Sequence, residues 1–345
     1  MSNAFNKIID TLLDMKPDPI PYFILLKDFK KISPYCPEYL NAYDRVCEHP
    51  FVRKIEKQQN EKGFWIPFHA KTESMIRKLL WYGLDVSHSC LVKARDYTEG
   101  LLLGNESHDR YEVQDNVRWW TDMFMPLCVS ATLSTIDNDN VYLEEHRKRW
   151  AHFTQVGLID CAKANKKISS DKTGTIAFCT SLHDAFDREV YASEQREYFR
   201  IKTKNIIEPF NYYCLLLLAP GNGKSYLSDE ADQAMVDYGM NYAKCLYYIY
   251  NGCPGEMIPI DTLFKDGRHF HNWIRALSLI SQFKGWVKYK DRYVDYIISQ
   301  RNQDGLWEFP KKYDWLGLSD TWHGNNRAID STIFVLRMLM KKQAL

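Results

Sequence analysis

The chain has 345 residues, of which 45% are hydrophobic, so it can bury the core of one large domain or two ordinary ones. Its formal net charge is +1, which gives no electrostatic reason to expect nucleic acid or an anionic membrane as a partner. No apolar run approaches the roughly 18 residues of a membrane-spanning helix, and the N-terminus lacks the basic-then-apolar order of a secretion signal. The nine cysteines, none spaced as Cys-x-x-Cys, favour reduced thiols and a cytoplasmic protein.

Apolar residues recur with helical spacing through nearly the whole chain, and no convincing set of alternating strands is found. The proline-rich first 45 residues predict a short helical lead-in, 1–45, and the remainder, 46–345, is predicted to be one domain. The clearest helices are predicted at 70–84, 117–136, 206–218, 228–250, 269–283, 291–300 and 328–341. The connections rich in glycine, proline, asparagine and aspartate are 60–67, 137–140, 220–224, 251–259 and 302–326. We therefore expect an all-α fold.

Two distant segments, residues 52–65 and 294–307, repeat one pattern without a gap. In each copy a helix-like run ends near a glutamine whose amide is expected to cap exposed backbone groups. A glycine then permits a tight, left-handed turn, and a tryptophan covers the junction before a second helix. An internal repeat of this kind predicts helix pairs that stack side by side. The two copies end in Gln58-x4-Gly63-x-Trp65 and Gln300-x4-Gly305-x-Trp307.

Each motif is preceded by an aliphatic residue, Ile55 or Ile297, and the combination resembles the glutamine–tryptophan repeats of squalene and hopene cyclases. Related repeats occur in protein prenyltransferase beta subunits. The chain therefore resembles the terpenoid cyclase/protein prenyltransferase superfamily, in particular short single-toroid proteins with prenyltransferase or squalene-oxidase repeats. The resemblance implies an α/α toroid, a double ring of helix pairs around a central cavity. Residues 100–290 carry only degenerate copies of the motif.

The catalytic motifs of that superfamily are absent from the sequence. There is no Asp-x-Asp-Asp, which protonates an alkene in class II cyclases, and no Asp-Asp-x-x-Asp for magnesium; the nearest acidic stretch, 137–140, is typical of a turn. Asp160 and Cys161 lack the spacing of the Asp-x-Cys zinc ligands, so we expect neither a metal nor a cofactor. Residues 219–225 resemble the end of a phosphate-binding loop, but Leu218 replaces its first glycine, which favours a helix-terminating loop.

Polar and aromatic residues predicted near the starts of inner helices form the candidate site of such a toroid. Carboxylates and imidazoles can supply an acid and a base, and aromatic faces can stabilise a cation. The candidate catalytic residues are Asp122, His269, His271 and Asp330. The candidate substrate-binding residues are His69, Glu73, Trp119, Trp120, Trp273, Tyr313, Trp322 and Arg327. A structural explanation exists as well, because Asp330 can cap a helix and Glu73 can complement a helix dipole.

Three functions remain open on the sequence alone. The first is a cyclase-like or isomerase-like enzyme whose aromatic-lined cavity binds an apolar or isoprenoid-like small molecule. The second is a carbohydrate-active toroid lyase or hydrolase that recruits His271, Asn272, Tyr313 and Arg327, which predicts an open polar groove with exposed tryptophan rings. The third is a non-catalytic binding or scaffold protein, which predicts no convergence of titratable groups. Fold does not decide among them, because function depends on the site.

Overall fold

The computed structural model describes residues 2–66, 69–107, 120–160, 185–202, 207–220, 224–241, 243–246, 252–254, 277–311 and 317–340. Helices make up most of these ranges. Helices α1 to α6 are Ser2–Asp14, Pro19–Ile24, Pro37–Cys47, Pro50–Gln58, His69–Trp81 and Ser89–Leu102. Helices α7 to α13 are Met125–Ile136, Leu143–Thr154, Ala185–Phe199, Tyr212–Leu218, Asp229–Asn241, Lys290–Ser299 and Gly324–Met340.

Short stretches of other helical geometry extend several of these helices. The π-helical stretches are Leu25–Lys30 after α2, Trp120–Phe124 before α7 and Gln155–Asp160 after α8, and a 3-10 turn, Lys284–Lys288, precedes α12. Two strands, β1 (Ala243–Leu246) and β2 (Gly252–Pro254), pair antiparallel with an irregular register. The predicted all-α class is confirmed for the described residues, with this small ribbon as its exception.

The ribbon interrupts the helix predicted at 228–250, because α11 ends at Asn241. The helix predicted at 206–218 begins later, at Tyr212, because the side chain of Asn211 caps it by accepting a hydrogen bond from the Cys214 amide at 2.9 Å. The helix predicted at 269–283 lies largely outside the described residues.

Helix α7 is the centre of the helical packing. Its residues are buried on nearly every side, and the helix packs against α5, α6, α8 and α10. Such all-round burial agrees with its sequence, which is apolar or small throughout, since a helix that is hydrophobic on every face belongs in a core. Helices α5 and α10 therefore lie close to each other, both against α7.

The two ends of the chain are in contact. Arg337 on α13 pairs with Asp28 in the π-helical extension of α2, with Nε and Oδ2 2.6 Å apart, and donates to the Trp81 carbonyl at 2.9 Å. The buried His49 imidazole lies 2.7 Å from the Asp320 carboxylate. The Asp320 amide in turn donates to the carboxylate of Asp18 at 2.9 Å. The described part of the lead-in 1–45 thus packs on the last helix and shares one hydrophobic core with the other described helices.

The two sequence repeats form the same corner. The indole Nε1 of Trp65 donates to the Ile55 carbonyl at 2.7 Å, and Trp307 makes the equivalent bond to Ile297 at 2.6 Å. Both tryptophans are buried. In both copies an asparagine opens the turn and a glycine with positive φ completes it, at +100° in Gly63 and +75° in Gly305. The repeat therefore encodes a specific turn between two helices.

The corner also corrects two details of the sequence interpretation. The capping amide in the first copy belongs to Gln59, which donates to the carbonyls of Gly63 and Cys90 at 2.9 and 2.8 Å, whereas Gln58 is exposed. The second helix is anchored by a threonine in each copy, because the hydroxyls of Thr72 and Thr332 accept from the backbone amides of the two tryptophans. Thr72 and Thr332 are therefore equivalent positions in the two copies, although the second copy has a longer segment between its tryptophan and its threonine.

Candidate functional site

Four polar and aromatic side chains meet where α5 approaches α10. The carboxylate of Glu73 is 2.5 Å from the guanidinium of Arg77, one helical turn away, and accepts a hydrogen bond from the Tyr213 hydroxyl at 2.6 Å. Arg77 also lies 3.4 Å from the Tyr212 hydroxyl and 6.0 Å from the centre of that ring. We call Glu73, Arg77, Tyr212 and Tyr213 the Glu73 cluster.

The local sequence explains why the two tyrosines face α5. The cap formed by Asn211 starts α10 directly before them, so both lie in its first turn. The ring of Tyr213 packs edge-on against Phe124, at 5.8 Å between centroids, and this fixes the tyrosine beside α7. Glu73 and Arg77 share one face of α5 because four residues make about one helical turn. The cluster is thus assembled by two short helices held on a common third helix.

Burial keeps one hydroxyl of the cluster protonated. Tyr213 is 2% exposed, and its burial, reinforced by the neighbouring Cys128 and Glu73, raises the pKa of its hydroxyl far above the ordinary range. The hydroxyl therefore stays protonated and donates its hydrogen to the carboxylate. Glu73 is 7% exposed and Arg77 is 40% exposed, so the guanidinium forms the accessible side of the cluster. The arrangement offers a protonated hydroxyl, a buried carboxylate and an accessible cation.

The face of α5 that carries the cluster continues into apolar residues. Leu80 and Trp81, one further turn along, are partly buried hydrophobic side chains, as is Phe334 on α13. The Trp81 and Phe334 rings meet edge-on with centroids 5.7 Å apart. One helix face therefore joins a polar end to an aromatic end.

Asp122, a candidate catalytic residue, lies in the π-helical stretch before α7. It is partly exposed, and its carboxylate is 3.3 Å from the hydroxyl of Thr121. Two residues later, Phe124 contacts Tyr213. The structure thus places Asp122 on the element that borders the Glu73 cluster.

Asp330, the second described catalytic candidate, is fully buried and holds a backbone segment. Its carboxylate accepts from the amides of Leu318 and Ser319 at 2.8 and 2.9 Å and from the Ser319 hydroxyl at 2.8 Å. Burial raises the pKa of this carboxyl to about 6, against the lowering effect of the three hydrogen bonds. Because α13 begins at Gly324, Asp330 lies inside the helix and does not cap its start.

The remaining candidates divide into described and undescribed residues. Trp322 is buried, and Arg327 pairs with Glu308. Backbone positions alone are described for His69, at the start of α5, and for Trp120. The candidates outside the described residues are Trp119, His269, His271, Trp273 and Tyr313, together with Asn272.

Sequence reasoning named Glu73 but missed its three partners. Arg77 could have been found, since an acid followed by a base four residues later is a readable helical pair. Tyr213 follows a cap residue, but nothing local indicates that it meets α5. Within the described ranges, no group of three or more His, Cys, Asp or Glu side chains could hold a metal ion.

Comparison with known proteins assigns no relative. No family model, no curated protein and no solved structure matches this chain. In the part of the chain that the structure describes, no helix combines the length and apolar character needed to cross a membrane.

Proposed function

We propose that this chain is a cytoplasmic α/α-toroid protein that binds an apolar or isoprenoid-like small molecule between its inner helices. Support for the toroid comes from the two matching corners and from the contact between α13 and the first helices, as closure of a ring requires. Support for the cytoplasm comes from the described cysteines that form no disulfide, namely Cys36, Cys47, Cys90, Cys128 and Cys214.

The observation that carries the proposal is the face of α5. Glu73 and Arg77 supply its polar end, and Leu80 and Trp81 supply its apolar end. A ligand with one polar group on a hydrocarbon body matches this order, because small-molecule sites combine a mostly apolar lining with a few placed polar groups.

The Glu73 cluster also supports acid–base chemistry, such as isomerisation or cyclisation. The Tyr213 hydroxyl, whose pKa burial raises far above the ordinary range, stays protonated and orients the Glu73 carboxylate through their hydrogen bond, and that carboxylate can accept a proton from a ligand. A scaffold protein predicts no convergence of titratable groups, whereas here an acid, a guanidinium and two phenols meet. We therefore favour an enzyme over a scaffold.

Binding of farnesol, measured by quenching of tryptophan fluorescence, tests the proposal. Mass spectrometry of lipids that co-purify with the protein is a second, independent test. Leu80→Gln, which places an amide on the apolar end, is expected to weaken farnesol binding about tenfold, or about 1.4 kcal/mol. The matched control is Leu40→Gln, since Leu40 is 49% exposed on α3.

Catalysis is tested separately with Glu73→Gln and with Glu48→Gln, an exposed acid at the end of α3, as its control. Turnover of a bound isoprenoid is expected to fall at least about a hundredfold in Glu73→Gln only. No farnesol binding and no co-purified lipid would refute the ligand class. Binding without an effect of Leu80→Gln would refute the site.

A further inference from the structure

A concavity lies away from the Glu73 cluster, where the turn between α7 and α8 faces Ala219, Lys224 and Tyr226. We propose that it binds a small, neutral, polyhydroxylated molecule of about monosaccharide size. The cavity has a volume of about 350 Å³, which is in the range of small-molecule sites. We call it the polar pocket; its polar lining includes Asn138, Asp139, Glu144, Arg147, Lys224 and Tyr226.

One wall of the polar pocket is rigidly held. Arg147 is 6% exposed, and its guanidinium donates to the Leu217 carbonyl at 3.2 Å and to the carbonyl and side-chain oxygens of Asn138 at 2.8 and 2.5 Å. These bonds fix the turn after α7 to the end of α10. Since the Asn138 side-chain oxygen faces Arg147, its amide nitrogen remains as a donor with no partner among the described residues.

Beside Arg147, one helical turn earlier on α8, the lining carries a carboxylate with its own donors. Glu144 accepts from the Tyr226 hydroxyl at 2.6 Å and from the Lys224 ammonium at 3.2 Å. These two hydrogen bonds lower the pKa of Glu144 to about 2, so the carboxylate is ionised at neutral pH. The Lys224 ammonium also lies 4.6 Å from the centre of the Tyr226 ring. The Lys148 ammonium lies 3.4 Å from the same carboxylate, so Glu144 is already paired with two bases.

The charge balance selects the class of ligand. The lining holds two acids, Asp139 and Glu144, and two bases, and both bases are already engaged: Arg147 with the oxygens of Leu217 and Asn138, and Lys224 with Glu144. An anion would be repelled by both carboxylates and would compete with Glu144 for Lys224. A hydroxyl group both donates and accepts, and it can therefore bind the carboxylates and the ammonium without separating them. Several hydroxyls on one small body match this wall better than a phosphate does.

The test uses the full chain and a panel of neutral sugars, namely glucose, galactose, mannose and N-acetylglucosamine, in saturation-transfer NMR. Inorganic phosphate is measured in parallel by calorimetry. We expect at least one sugar to bind with a millimolar dissociation constant, about −4 kcal/mol, and phosphate to bind more weakly. Failure of every sugar, or preferential binding of phosphate, would overturn the proposal.

Two variants locate the binding. Ala219→Phe places a ring at the pocket wall and is expected to weaken sugar binding at least about tenfold, whereas Val287→Phe, at a 66% exposed position elsewhere, leaves it unchanged. Lys224→Met, at a 65% exposed side chain, is expected to weaken binding several-fold and covers the case in which Ala219→Phe does not fold. Unchanged affinity in folded Ala219→Phe or in Lys224→Met would contradict the assignment to this pocket.

Discussion

Replacing Asp330 by asparagine is expected to stabilise the protein at neutral pH. The wild-type carboxyl is buried, and its pKa is raised from 3.8 to about 6. The folded state therefore binds the proton more tightly than the unfolded state between these values. The stability that this group contributes is complete below about pH 4 and is lost as the pH rises through about 6.

The size of the effect follows from the shift. About two pKa units correspond to about 3 kcal/mol between the acid and neutral ends of this range. Asparagine stays uncharged, its oxygen can accept from the two backbone amides, and its nitrogen can donate to the Ser319 hydroxyl. At pH 7.5 we therefore expect Asp330→Asn to raise the free energy of unfolding by about 1–3 kcal/mol, with little change at pH 4.

Urea unfolding followed by circular dichroism at pH 7.5 and at pH 4 measures this difference. Because other titrating groups contribute equally to both proteins, the variant-minus-wild-type difference isolates position 330. Asp330→Ala serves as the matched control: it leaves the amides of Leu318 and Ser319 without their acceptor and is expected to destabilise by about 2 kcal/mol or more. A difference for Asp330→Asn that is independent of pH, or destabilisation at pH 7.5, would refute the reasoning.

Four further substitutions test the corners and the contact of the chain ends, and urea unfolding measures each. Gly63→Ala is expected to destabilise by about 3 kcal/mol or more, because a Cβ would lie 2.2 Å from the Lys93 carbonyl oxygen. Gly305→Ala meets nothing within 4 Å and should lose only about 1–2 kcal/mol from its positive φ, so equal losses would contradict this account. Trp307→Phe removes the indole hydrogen bond and should lower the free energy of unfolding by about 1–2 kcal/mol. An unchanged midpoint of urea unfolding would show that this bond contributes nothing to stability. Arg337→Met should lower the free energy of unfolding by about 2 kcal/mol. This is less than the loss of a fully buried ion pair would cause, because the partner carboxylate, Asp28, is 29% exposed. An unchanged free energy of unfolding would argue against an anchoring contact.

Much of the fold was readable because its determinants are local. Helical spacing depends on contacts three and four residues apart, and it located the last helix close to its observed bounds of Gly324–Met340. The corners were readable for the same reason: the Trp65 indole bonds a carbonyl only ten residues earlier. Helix starts were predicted less well. Helix α10 begins at Tyr212 because the side chain of Asn211 accepts a hydrogen bond from the Cys214 amide. The spacing of apolar residues gives no information about such a capping bond.

The candidate site was only partly predictable. Glu73 was named from its place after the first corner, and its bond to Arg77 follows from helical spacing. Its bond to Tyr213 spans 140 residues. No pattern in one sequence connects two residues so far apart, since their contact depends on how α5 and α10 both pack on α7.

The sequence by itself determined the helical class, the two matching corners and the absence of the familiar cyclase motifs, because each of these depends on residues that are close together in the sequence. Tertiary structure alone decided that Tyr213 donates to Glu73, that Arg337 joins the last helix to the second, and that Asp330 holds a loop. The physical reason is that burial and long-range contact set these roles. A carboxylate at position 73 and one at position 330 look alike in sequence, but one meets an accessible cation and the other is enclosed by backbone amides.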